Sequence, residues 1–172
     1  MDTARDASGR RYLLLERSAE SSRVRNPRTG EERSVSNDDL ELVAESALEA
    51  VGRAVPSVVR HELDGVRDDR TIGLLHEIGT REPVGVVTLL DAYDLCESDL
   101  HGTVGELRAA GLIEPADIDD PVMAGERGYR TTETAREAFR SRGKADEPGD
   151  ESERRERLLP TISIAPLLAR SR

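Results

Sequence analysis

The stretch that most constrains the fold is Glu97 to Glu114, reading ESDLHGTVGELRAAGLIE. Leu100, Val104 and Leu107 recur at i, i+4 and i+7, the buried stripe of an amphipathic helix over residues 97–110. Gly111 follows where a helix commonly ends on a left-handed residue, and Leu112-Ile113-Glu114 then reads as a strand. Upstream, Thr71 to Ile78 reads as a short helix. Pro83 sets up another over Val86 to Tyr93, with Val87, Leu89 and Leu90 available to the core, and Asp94-Leu95-Cys96 is a tight connection. Downstream, residues 115–127 read as a loop and Gly128 to Thr131 as a returning strand. Thr132 to Arg142 is a final helix with Ala135, Ala138 and Phe139 facing inward.

That order over residues 68–142 (helix, helix, turn, helix, strand, loop, strand, helix) resembles the winged helix-turn-helix of MarR, ArsR and PadR-type transcriptional regulators. The resemblance is carried by the 97–114 run, with its LRAAGLI segment Leu107 to Ile113, and by GYRTTETAREAF from Gly128 to Phe139. It implies an α+β fold and a homodimer on double-stranded DNA, with residues 97–110 as the helix that enters the major groove. The implied groove-facing side chains are Glu97, Ser98, Asp99, His101, Gly102, Thr103 and Glu106; carboxylates can accept from cytosine N4, and hydroxyls can meet any base. Arg108, Arg127 and Arg130 are the implied phosphate or minor-groove contacts. The chain departs from the pattern in one respect. Recognition helices usually carry Arg, Lys, Gln or Asn where three of these seven positions are acidic, and residues 68–142 hold eight Arg against sixteen Asp and Glu. The alternative is therefore a winged domain used for protein contact without DNA.

The N-terminus reads as β structure over residues 1–36. Arg10–Glu16, Ser22–Arg25 and Glu32–Val35 are strand candidates, with turn chemistry at Asn26-Pro27-Arg28-Thr29-Gly30. A hairpin or three-stranded meander of this size needs something to pack on. Residues 1–33 carry eight Arg against six acidic residues, the only clearly positive piece, and would serve as a solvated strand face or as a phosphate-contacting arm. Ser36-Asn37-Asp38-Asp39 is a helix-start signal. Leu40, Val43, Ala44, Ala47, Leu48 and Val51 then predict one amphipathic helix over 38–54, with a second after Pro56 using Val58, Val59, Leu63 and Val66. Residues 37–67 would thus be connecting helices, bracing the next domain or forming a dimer interface.

With 36% hydrophobic and 35% charged residues, the composition predicts a folded middle with loose ends. Residues 143–172 read as a flexible linker and an apolar tail, Leu158 to Leu168, which folds back or docks a protein partner. Of 25 basic residues only Lys144 is lysine, and the net charge is -10. That balance resembles the acidic proteins of extremely halophilic archaea, in which case acidity is an adaptation to salt: in about 1 M salt the Debye length is near 3 Å, so a negative surface does not exclude DNA. No apolar run reaches the roughly 20 residues of a membrane span and no signal-type segment is evident, so a cytoplasmic chain is expected. Cys96 stands at a helix N-cap, either as a small buried turn residue or as a redox-sensing thiolate. His61, His76 and His101 lack ligand-like spacing, so no metal is expected. Walker A, GxSxG, HExxH and dinucleotide motifs are absent, and neither catalysis nor a cofactor is expected.

Overall fold

A computed structural model describes residues 1–63, 65–118 and 127–145. Five strands open the chain: β1 (Asp2–Asp6), β2 (Arg11–Arg17), β3 (Ser21–Arg25), β4 (Glu32–Ser36) and β5 (Leu40–Val43). They pair antiparallel in the order β4-β3-β2-β1-β5. The three strands legible in the sequence, β2 to β4, stand where the alternation and the turn put them, with Gly30 at φ +73°. The outer two change the picture. Where one helix over 38–54 is expected, Ser36 instead caps a short 3-10 turn at Asn37–Asp39, and Leu40–Val43 pairs with β1. Helix begins only at Ala47. Pairing wins because β1 offers an open edge, and the Thr3 hydroxyl lies 3.0 Å from the carbonyls of both Val43 and Glu45.

This connectivity forces curvature. Opposite edges of a flat five-stranded sheet lie about 19 Å apart at ~4.8 Å per strand. The chain passes from Ser36 at the end of β4 to Leu40 at the start of β5, a path of at most about 14 Å even if fully extended. The sheet therefore curls into a half-barrel. Ala4, Tyr12 and Val24, on the face opposite Leu13, are buried inside the curl, where the Arg33 guanidinium lies 4.7 Å from the centre of the Tyr12 ring.

Three helices follow: α1 (Ala47–Ala54), α2 (Ser57–Glu62) and α3 (Asp69–Arg81), the last longer at both ends than the Thr71–Ile78 expectation. α1 and α3 touch backbone to backbone. A Cβ at Gly73 would sit 1.9 Å from the Leu48 carbonyl oxygen, and one at Gly52 would sit 1.7 Å from that of Asp69. Val59, Leu63 and Val66 are buried as expected, whereas Val58 points outward.

β6 (Val84–Gly85), α4 (Val86–Tyr93), α5 (Glu97–Ala109), β7 (Ile113–Asp117), β8 (Arg127–Thr131) and α6 (Glu133–Ala145) complete the described chain. The second sheet has the order β6-β8-β7, all antiparallel. Of the three residues offered to the core by α4, Leu89 is fully buried and Leu90 partly so, while Val87 is 49% exposed: on one short helix it falls on the face away from the core. The expected loop is shorter than 115–127, since β7 runs to Asp117 and β8 starts at Arg127. Residues 119–126 within it, and 146–172 with the linker and the 158–168 tail, lie outside the described residues. The molecule is mixed α+β. One apolar cluster runs from Leu13 of β2 through α1, α3, α4 and α5 to Ala138 of α6.

Charge also joins the half-barrel to the helices. Glu77 of α3 is 2% exposed, and its two carboxylate oxygens accept from Arg25 of β3 at 2.9 and 3.0 Å. The Tyr93 hydroxyl donates to it from α4, and Arg81 lies 3.1 Å away. A second chain of pairs runs Arg11–Glu45–Arg53–Asp69–Arg60 through β2, α1, α3 and α2.

Candidate functional site

α4 and α5 meet through three residues. Asp94 turns the chain in the left-handed region (φ 50°, ψ 47°), and Cys96 caps α5, its sulfur accepting from the Asp99 N–H at 3.4 Å. The helix buries Leu100, Val104 and Leu107, the stripe read from the sequence. It closes on Gly111 (φ +69°) with the Leu112 N–H bonded to the Leu107 carbonyl and the Gly111 N–H to that of Arg108, the paired bonds of a Schellman motif. The chain emerges directly into β7, so the outer face of α5 and the β7–β8 hairpin form one surface.

Two clefts mark that surface. One, of about 550 Å³, has Arg108, Asp117, Arg127, Tyr129 and Arg130 in its walls. The other, of about 510 Å³, lies between Val86, Glu97, Ser98, Leu100, His101, Val104 and Tyr129. Tyr129 belongs to both. The hairpin register explains the first cleft's charge: Glu114 faces Arg130 and Asp117 faces Arg127 across the strands.

Five of the eight residues expected to contact DNA line these clefts: Ser98 and His101 in one, Arg108, Arg127 and Arg130 in the other. Their freedom differs. Arg130 is held 2.7 Å from Glu114, whereas Arg108 and Arg127 form no ion pair among the described residues. The other three stand on α5 but line neither cleft. Asp99 is 3.0 Å from Arg70 of α3, and the hydrogen bonds from Arg70 and Cys96 hold its carboxyl below the usual range. The Thr103 hydroxyl bonds the Asp99 carbonyl at 3.0 Å within the helix. Gly102 is exposed with open space around it. Sequence reasoning missed Tyr129 and Arg70. Tyr129 sits between two expected contacts in β8, but only the pairing with β6 on one side and β7 on the other puts it at the junction of the clefts.

Cys96 is exposed, which removes the reading of it as a buried turn residue: a cap must sit at the helix mouth, and here that mouth opens to solvent. Among the described residues no group of three or more His, Cys, Asp or Glu could hold a metal ion, and no helix is long and apolar enough to cross a membrane.

Fold and surface together define a mixed α+β protein with an arginine-bearing helix-and-hairpin face braced by an N-terminal half-barrel. The chain belongs to DUF7346, a family of unknown function whose model matches residues 1–141 and so spans the half-barrel, the helices and the hairpin. No curated protein and no solved structure matches it.

Proposed function

We propose that residues 68–142 are a winged helix-turn-helix domain and that the protein is a regulator binding duplex DNA as a homodimer. The observation that carries this reading is the continuous face of α5 and the β7–β8 hairpin, on which Arg108 and Arg127 stand without ion-pair partners among the described residues. In this reading α5 enters the major groove with Ser98 and His101 toward base edges. Arg108 and Arg127 meet phosphates, with Tyr129 between the two sets of contacts. Arg70 supports the reading by neutralising Asp99, which reduces the repulsion the acidic helix would otherwise present. A single α5 carries too few cations to bind strongly, which favours two copies on one palindromic site. The test is fluorescence anisotropy with duplexes selected by the protein at about 2 M KCl, where acidic surfaces are screened. R108A and R127A are each expected to weaken binding across all sequences and to lower the salt slope by about 1. Unchanged affinity in both would overturn the reading.

One observation favours a protein partner instead. The second cleft has an apolar floor of Val86, Leu100, Val104 and Tyr129 with Glu97 in its wall, a surface fitted to a basic amphipathic segment. Failure of the folded protein to bind any duplex would move the weight to this reading.

A further inference from the structure

A third cleft, of about 390 Å³, lies between α3, the end of β8 and α6, with His76, Glu82, Thr131, Arg136, Phe139 and Arg140 in its walls. None of these residues takes part in the face described above. We propose that it binds a small organic acid: a carboxylate with a short apolar body.

The carboxylate's place is already marked by a side chain. Arg136 and Arg140 stand one helical turn apart on α6 and share the carboxylate of Glu133, at 3.1 and 2.8 Å. Arg136 is fixed from within. Its Nε lies 3.2 Å from Glu82, and its Nη2 donates to the Thr131 carbonyl at 2.6 Å, leaving Nη1 turned toward Glu133. Glu82 is itself committed, accepting from the Thr131 N–H at 2.6 Å and from the Thr131 hydroxyl. Glu133, by contrast, is 59% exposed, so a ligand carboxylate can replace it on the two guanidinium groups while Glu133 turns into water. The apolar body has a surface to meet: the Phe139 ring stands edge-on to His76 at 5.7 Å, and the cleft volume suits a small molecule.

The site is coupled to the rest of the fold. His76 Nδ1 lies 3.9 Å from the Glu77 carboxylate, which holds Tyr93 at the end of α4, and Glu82 immediately precedes the segment leading into β6. The binding itself does not depend on the DNA reading.

Phe139 is the only phenylalanine, so 4-fluorophenylalanine labelling gives one ¹⁹F resonance at the cleft. The full chain, in salt where circular dichroism shows it folded, is titrated with hexanoate and separately with 1-hexanol. A saturable shift with hexanoate and none with hexanol is expected. Kd should rise at least about fivefold in R140Q, which removes a charge-assisted contact, and should fall in E133Q, which removes the internal competitor. No saturable shift, equal response to the alcohol, or indifference to R140Q would each overturn the proposal.

Discussion

At the scale of single residues, several decisive side chains have surroundings that the sequence does not display. Glu77 looks like any surface acid inside a helix, yet it is the most buried carboxylate described, because Arg25 reaches it from 52 residues away. Burial pushes its pKa up, but the nearby His76 ring, the Tyr93 hydrogen bond and the charge and hydrogen bonds of Arg25 outweigh this and bring it down to about 2. Depression below the ordinary 4.5 means the charged form stabilises the fold. The contribution is complete above about pH 4.5 and is lost as pH falls toward 2, on the order of 3 kcal/mol in all. Urea melts across that range should show stability falling with acid, with the fall much reduced in E77Q. At neutral pH, E77Q itself is expected to cost about 3–5 kcal/mol by stranding Arg25. Gly73 makes a second residue-scale prediction. Any Cβ there would strike the Leu48 carbonyl, so G73A should lower the thermal midpoint sharply or prevent folding, while G102A, in open space, should not lower it.

At the scale of elements, legibility followed the kind of information each element needs. α4, α5, β8 and the Gly111 stop are local: a periodic stripe, a cap and a left-handed glycine suffice, and the structure has them within a residue or two of expectation. β1 and β5 are not local. DTARD has neither an apolar alternation nor a β-branched run, and LELV fits a helix as well as a strand until its partner is known. The same limit applied to the site. The sequence named the residues of α5 and β8, but only the fold shows that Asp99 and Thr103 are spent on structure and that Glu114 occupies Arg130. This yields an element-scale prediction of opposite sign to the usual one. E114Q frees Arg130 on the hairpin and should strengthen duplex binding and steepen its salt dependence, read by anisotropy, whereas T103A should leave affinity nearly unchanged. For α5 itself, C96A removes the cap and should cost about 1 kcal/mol, with C96S restoring it, both read from thermal melts.

At the scale of the whole molecule, the half-barrel and the helices share one core. Leu13 joins the common core, and two chains of arginine–carboxylate pairs cross the junction. Because Arg25–Glu77 is buried, added salt should screen it far less than it screens surface pairs such as Arg5–Glu41, which is open on both sides. Rising salt should therefore stabilise the acidic chain by relieving repulsion within its net charge of -10 while leaving the junction intact. A single cooperative unfolding transition is expected at all salt concentrations, and separate melting of residues 1–43 would contradict the shared core.

Duplex recognition by the α5–hairpin face is tested by selection from a random duplex library by the purified full chain at about 2 M KCl, with folding checked in the same buffer. Enrichment of a short palindrome whose half-sites lie about 10 base pairs apart is expected, with loss of that enrichment in the R108A/R127A double variant. A folded protein that enriches no sequence, or one whose enrichment survives the loss of both arginines, would contradict recognition by this face.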